Sequence, residues 1–220
     1  MGRGFGFCWC CYKPKVKDRF DLQPFLMRRL PIFWIMGPPG CGKSTLACML
    51  EKSSKYNLVK ISDLINEEIT KGKFRAKIIE DCLKKGKFVP DEIIVTLIKE
   101  YIFLNYANAK GFIFSGFPIH LRQAKLFELE ICKVNIIIYC TLVLDSLLGR
   151  MITKYGEINT EQVRLQFVEK HKSSQSIYKY YEHKTLKVMT NYPPEETVTK
   201  LISDLEDYWG YKFERLYNKN

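Results

Sequence analysis

Eight consecutive residues match the pattern G-x-x-x-x-G-K-[ST]; they are Gly37, Pro38, Pro39, Gly40, Cys41, Gly42, Lys43 and Ser44. Glycine lets backbone N–H groups turn inward around phosphate oxygens, and the first turn of a following helix adds unpaired donors with partial positive charge. The ammonium group of Lys43 can reach terminal phosphates, and the Ser44 hydroxyl can ligate Mg²⁺. We therefore predict that this loop binds the phosphate chain of a nucleotide, in preference to an ordinary glycine turn before a helix.

The flanking sequence alternates between strand-like and helix-like segments. Apolar runs predict strands that are buried on both faces: Ile32–Met36, Phe112–Ser115, Val134–Cys140, Thr185–Met189 and, more weakly, Leu58–Ile61. Segments with helical spacing lie between them: Ser44–Lys55, Leu64–Thr70, Arg75–Lys85, Asp91–Tyr106, His120–Glu130, Leu144–Lys154, Thr160–Glu182 and Glu195–Tyr208. This alternation predicts an α/β fold, a doubly wound five-stranded parallel sheet with helices on both faces.

The 220 residues divide by composition into a long central region and two short ends. We predict a basic, cysteine-containing appendage over residues 1–30, a nucleotide-binding domain over 31–209 and a polar tail over 210–220. The net charge is +11, which suits nucleic acid, an anionic membrane or a phosphorylated small molecule and does not choose among them. No apolar run is long enough to predict a membrane-spanning helix, and no ordinary secretory signal is present.

The first 17 residues carry a partial lipidation signal. Gly2 follows the initiator methionine, as myristoylation requires, although Gly6 stands where serine or threonine is usual. The candidates for palmitoylation lie among aromatic residues and precede several lysines; they are Cys8, Cys10 and Cys11. We predict a cytoplasmic protein, for which residues 1–17 leave open a peripheral membrane contact. The alternative is a basic tail with incidental cysteines. Cysteines at positions 41 and 48, close to the phosphate loop, favour a reducing compartment.

Several further blocks occur in a fixed order after the loop: Ile61–Ile65, Gly86–Glu92, Gly111–Pro118 and Gln123-Ala124. With the loop through Thr45, these blocks make residues 31–209 resemble the nucleoside monophosphate kinases, most closely the short-lid adenylate kinases. The resemblance implies transfer of the γ-phosphoryl group of ATP to AMP or a related monophosphate, with Mg²⁺ as cofactor. It also implies that residues 56–90 form the monophosphate-binding helices.

The resemblance assigns roles to individual positions. It implies that Lys43, Arg150 and Lys154 act in catalysis and that Arg150 also contacts ATP, together with the whole loop from Gly37 to Thr45. It implies that the acceptor nucleotide contacts Arg75, Val89, Gly116 and Gln123. Ser44 is the expected Mg²⁺ ligand.

Other positions depart from the family pattern. Family arginines are replaced by Asn66, Ile119 and Gln166, a family threonine by Ile61, and the aspartate before Gly-Phe-Pro by Ser115. The lid is reduced to residues 155–166. One catalytic arginine in phosphoryl transfer is worth roughly 10³–10⁵ in rate, so these losses bear directly on activity.

The sequence leaves several functions open. The first is a nucleoside monophosphate kinase; the alternative is a catalytically weak or inactive ATP-binding scaffold or regulator, possibly attached to a membrane. A kinase for another small phosphoacceptor is a further alternative. A switch GTPase is disfavoured because no Asn-Lys-x-Asp motif follows a later strand. We expect a monomer without specific nucleic-acid binding.

Overall fold

The computed structural model describes residues 20–72, 74–156 and 159–213. Its strands are β1 (Ile32–Met36), β2 (Asn57–Lys60), β3 (Phe112–Ser115), β4 (Ile136–Thr141) and β5 (Thr185–Met189). Its α-helices are α1 (Gln23–Arg28), α2 (Lys43–Ser54), α3 (Ile61–Thr70), α4 (Phe74–Lys84), α5 (Asp91–Asn105), α6 (Leu121–Glu130), α7 (Leu144–Tyr155), α8 (Thr160–Tyr180) and α9 (Pro194–Trp209). Residues Glu182–Lys184 form a short 3₁₀ turn before β5.

The strands form one parallel sheet in the order β2-β3-β1-β4-β5. This confirms the predicted doubly wound, five-stranded α/β fold. The strand β1 lies in the centre, where all five of its side chains are buried. Because the strands are parallel, their carboxyl ends share one edge of the sheet, and ligands of such sheets bind outside that edge.

The two faces of the sheet are covered by two apolar clusters, as expected from the alternation of side chains along β1. Trp34 faces one cluster, where its ring contacts Phe117, Phe127 and Tyr181 edge-on at 5.3–5.7 Å between centroids. Phe33 faces the other, which includes residues of α2 and α9. Burying both faces makes the central strands rigid, and a rigid sheet edge can hold a site in place.

Helix ends follow the local signals in the sequence. Gly72 and Gly86 lie two residues past the last residues of α3 and α4, and each adopts φ +63°, the left-handed conformation that glycine tolerates best. Pro90 is the N-cap of α5, and two acidic residues occupy the first turn of that helix. Helix α2 begins at Lys43, within the predicted phosphate loop.

Helix α1 lies inside the segment that was predicted to be a separate appendage. Leu22 and Phe25 are buried in the core, and the Phe25 ring lies 6.2 Å from that of Phe112. Arg28 donates hydrogen bonds to the carbonyl groups of Tyr106 and Ala107. Residues 20–30 are therefore packed against the domain, which the basic composition of the segment did not indicate.

Some predicted features fall partly or wholly outside the described residues. Residues 1–19 are outside them, so the predicted lipidation sites and membrane contact over 1–17 stay predictions. Of the predicted lid at 155–166, the described residues from 160 onward belong to α8. Within the described ranges, no helix combines the length and the apolar character that crossing a bilayer requires.

Candidate active site

The phosphate loop connects β1 to α2 at the carboxyl edge of the sheet. Gly37, Gly40 and Gly42 adopt φ values of +143°, +76° and +87°, a region that other residues rarely occupy. At Gly37 a side chain would also lack space, because an added Cβ would lie 2.4 Å from the carbonyl oxygen of Cys140. The glycines of the motif are thus required by the loop conformation, as predicted.

Lys43 lies at the centre of this loop. Its Nζ donates a hydrogen bond to the carbonyl oxygen of Pro38 at 2.6 Å and lies 3.8 Å from the Sγ of Cys41. Helix α2 begins at this residue with Gly42 as its N-cap, and no side chain caps its first N–H groups. An ammonium group and uncapped amides therefore face the same region, which suits a polyphosphate.

Two buried thiols are hydrogen-bonded here, Cys41 within the loop and Cys140 in β4. A hydrogen bond from the Cys140 thiol lowers the pKa of Cys41 to about 7; the charge of Lys43 acts in the same direction and burial opposes both. The pKa of Cys140 is raised well above its ordinary range because its thiol donates a hydrogen bond to Cys41 and because this thiol is buried. The Cys41 side chain packs in the apolar cluster on one face of the sheet and is not among the residues that line the adjoining cavities.

A cavity of about 580 Å³ opens on one side of the loop. Its lining includes most of the predicted ATP-binding residues: Pro39, Gly40, Gly42, Lys43, Ser44, Thr45 and Arg150. The Arg150 guanidinium donates to the carbonyl oxygen of Thr190, and its Nη1 lies 3.7 Å from the position of a Cβ added at Gly42. Helix α7 thus brings Arg150 against the loop, in agreement with its assigned position.

A second cavity of about 380 Å³ opens on the other side of the loop. It contains three of the four residues predicted to contact the acceptor, namely Val89, Gly116 and Gln123. Lys43 and Ser44 line both cavities. Two cavities that meet at one ammonium group and one hydroxyl can bring two ligands together at that point.

Gln123 is held by a hydrogen-bond network behind the second cavity. Its Oε1 accepts from the backbone N–H of Ile119 at 2.9 Å, and its Nε2 donates to Oδ1 of Asp91 at 3.1 Å. Nδ1 of His120 accepts from the Gln123 N–H, so the Nε2 of that ring donates toward Asp91 at 3.2 Å. Burial raises the pKa of Asp91, although His120 and Arg122 oppose this effect. The side-chain amide is thereby fixed, with one N–H and one lone pair left over for a ligand.

Arg75 is the predicted acceptor-binding residue that the structure does not bring to the site. Its Nε contacts Glu68 at 2.8 Å, and its Nη1 and Nη2 contact the two oxygens of Glu100 at 2.7 and 3.0 Å. It lines neither cavity. The hydrogen bonds and charge of Glu100, with those of Glu68, raise the pKa of Arg75. These contacts join α3, α4 and α5, so the guanidinium has a structural role here.

The remaining predicted positions are only partly informative. Lys154 lies in α7, but its side chain is outside the described part of the chain. Asn66 is exposed and does not line the second cavity, whereas Ile119 and Ser115 do. The side chains that replace the family arginines therefore bring no positive charge to this cavity.

The donor set for a divalent cation is small. Ser44 supplies a hydroxyl, and none of the described residues lining either cavity carries a carboxylate. Nowhere in the described ranges do three or more His, Cys, Asp or Glu residues cluster as metal ligands. This fits Mg²⁺ that arrives with nucleotide phosphates and keeps several waters, and it does not fit a cation held by protein alone.

Sequence reasoning missed several residues of both cavities. Thr190 and Tyr192 line the first cavity directly after β5, and Lys60 lines the second at the end of β2. All three lie at or just beyond the carboxyl end of a parallel strand. A systematic search of strand ends would have found them, because such ends converge on the ligand in this class of sheet.

Comparison with known proteins agrees with this geometry. A family model described as adenylate kinase matches residues 35–186. Adenylate kinase isoenzyme 5 of Mus musculus is 26% identical over 187 residues, which cover 82% of this chain and 33% of that protein. Adenylate kinase isoenzyme 1 of Bos taurus is 24% identical over 162 residues, covering 71% of this chain and 83% of that protein. The chain thus spans about a third of the first relative and most of the second.

Proposed function

The chain belongs to the adenylate kinase family, and from this we propose that it transfers the γ-phosphoryl group of ATP to AMP or a related nucleoside monophosphate. The observation that carries the proposal is the meeting of two cavities at Lys43 and Ser44. A phosphoryl group that moves between two nucleotides needs a donor site and an acceptor site on opposite sides of one cationic group.

The chain's own residues supply position and charge for this reaction. ATP would occupy the larger cavity, with its phosphates along the loop amides and with Arg150 beside its nucleoside. The Lys43 ammonium would move from the carbonyl oxygen of Pro38 to the phosphate oxygens. Phosphoryl transfer asks little covalent chemistry of the protein, because its rate depends on alignment and on neutralising the transferred charge. When bound, Mg²⁺ would neutralise phosphate oxygens from a position beside Ser44.

The second cavity offers the acceptor both apolar and polar contacts. Val89 and Ile119 supply apolar walls, and Gln123 supplies an immobilised amide. One remaining donor and one remaining acceptor on that amide match the adjacent acceptor and donor of an adenine edge. AMP is therefore the preferred first acceptor to test.

A second candidate function is an ATP-binding protein with weak or no transfer activity. It is favoured by Ser115 and Ile119, which line the acceptor cavity where the family carries an aspartate and an arginine. These replacements leave the loop unchanged and affect only the acceptor side. ATP binding would then persist without transfer.

The deciding experiment measures ADP formed from ATP and AMP by the purified full chain, with chromatographic separation of the nucleotides. The variant Lys43→Met removes the ammonium group and keeps the length of the side chain, and Lys110→Met serves as the matched control because Lys110 is exposed and lines neither cavity. We expect Lys43→Met to reduce turnover about 10²-fold or more, as for other preorganised charges at a transition state.

The two candidates predict different outcomes. Transfer by the wild-type chain that Lys43→Met abolishes and Lys110→Met leaves intact supports the kinase. If ATP raises the melting temperature of the wild-type chain but no acceptor among AMP, CMP, UMP and GMP yields a diphosphate, the non-catalytic function is correct. ATP hydrolysis without acceptor is measured separately, so that it is not counted as transfer.

A further inference from the structure

The second cavity holds more positive charge than the motifs account for. Lys60 and Lys87 line it together with Lys43, and its described lining contains no carboxylate. The hydroxyl groups of Ser62 and Ser115 are also part of the lining. The Ser62 hydroxyl already donates to the carboxylate of Asp63 at 3.1 Å, so the three ammonium groups and the Ser115 hydroxyl are the donors that make this lining a site for an anion.

Lys60 occupies a fixed place in the fold. It is the last residue of β2, where it pairs in register with Ser115 of β3. The half-buried Lys60 is followed at once by α3, so the amino-terminal end of that helix adds to the positive potential. Lys87 approaches from the segment between α4 and α5 and is exposed. Two different elements therefore direct ammonium groups toward one cavity.

Neither lysine forms an ion pair with any described residue, in contrast to the arginines nearby. Arg75 is bound by Glu68 and Glu100, and Arg122 is bound by Asp91 and Glu92. A guanidinium that already contacts two carboxylates has little capacity left for a ligand. Lys60 and Lys87 retain their capacity to bind a ligand.

We propose that Lys60 and Lys87 bind the phosphate group of the acceptor nucleotide. They replace two family arginines, whose positions are occupied in this chain by Asn66 and Ile119. The inference rests on the proposed function, since it assigns a role within the acceptor cavity. Lys60 makes the larger contribution, because it is half-buried and solvent screens it less than Lys87. Lysine binds phosphate as a point charge, so this cavity lacks the bidentate contact of an arginine.

The test is a calorimetric titration of the full chain with AMP and with adenosine, after its ATP cavity has been filled with a non-hydrolysable ATP analogue and Mg²⁺. The variants are Lys60→Met, Lys87→Met and Lys60→Arg, with Lys110→Met as the control outside both cavities. A hydrogen bond to a charged group corresponds to about tenfold or more in a dissociation constant. We expect Lys60→Met to weaken AMP binding by about that factor and Lys87→Met to weaken it less.

Adenosine binding should be the same in all variants, because adenosine has no phosphate. Lys60→Arg should retain most of the affinity for AMP, which a role in folding alone would not predict. The proposal is overturned if both methionine variants bind AMP as tightly as the wild-type chain, or if the wild-type chain does not prefer AMP to adenosine. Failure of the proposed function looks different, because AMP would then bind in a lysine-dependent way without being phosphorylated.

Discussion

Replacing Arg75 by methionine separates a structural role from a substrate-binding role. The guanidinium of Arg75 bridges Glu68 and Glu100, and the Glu68 side chain is only 1% exposed. Methionine keeps the length of the stem but leaves the Glu68 carboxylate buried without its closest cation. The only other cation that the described residues place near Glu68 is Lys71, whose Nζ is 3.8 Å away. We therefore expect Arg75→Met to destabilise the fold.

The size of the effect follows from the burial of each partner. Breaking a buried ion pair by removing one member costs about 3–5 kcal/mol. Arg75 is 21% exposed and Glu100 is 23% exposed, so water relieves part of that penalty. A loss of about 2–3 kcal/mol in the free energy of unfolding is expected, which lowers the melting temperature by about 4–12 °C for a domain of this size.

The assay is urea unfolding followed by circular dichroism, with Arg122→Met as the matched control. Arg122 also contacts two carboxylates but is 72% exposed, so its removal should change stability by less than about 1 kcal/mol. Adding Glu68→Met to Arg75→Met should recover stability, because the uncompensated carboxylate is then gone. Unchanged stability of Arg75→Met, accompanied by weaker AMP binding, would refute the structural role and restore the substrate-binding one.

Two further predictions concern the phosphate loop. The ultraviolet absorbance of thiolate should rise around pH 7 in the wild-type chain, because the pKa of Cys41 is about 7, and Cys41→Ser should lack this rise; Cys132→Ser should keep it, because burial raises the pKa of Cys132 to about 12. A difference between the wild-type chain and Cys41→Ser that appears only near pH 9 would contradict the assigned hydrogen bond from Cys140. Gly37→Ala should cost about 1–3 kcal/mol and weaken ATP binding, because the new Cβ would overlap the Cys140 carbonyl, whereas Gly149→Ala in α7 should not destabilise the fold.

Sequence reasoning succeeded where the chemistry is local in the chain. The loop from Gly37 to Ser44 contains its own glycines, cation and hydroxyl, so its conformation and place in the fold could be predicted. The strands were recognised because each is a short apolar run, whereas their order in the sheet, β2-β3-β1-β4-β5, comes from the structure alone. The resemblance singled out Val89, Gly116 and Gln123 as acceptor contacts, and the structure places all three in the lining of the second cavity.

Features that depend on distant partners could not be predicted in this way. Arg75 has the residue type of a phosphate ligand, but Glu100, 25 positions away, determines its actual contacts. Lys60 is the last residue of β2 in a lysine-rich chain, and only its place at a strand end separates it from solvated lysines. Phe25 lies in a basic segment, and only its packing on Phe112 shows that the segment belongs to the domain.

The position of α1 also shows where the described part of the chain begins relative to the site. Phe25 packs on Phe112, the first residue of β3, and Phe20 packs on Phe103 with 5.1 Å between ring centroids. The chain therefore enters the domain beside the amino ends of the strands, at the edge of the sheet opposite the phosphate loop. A fluorescent label coupled within α1, for example at the exposed position of Met27, would therefore leave the nucleotide entrances unobstructed.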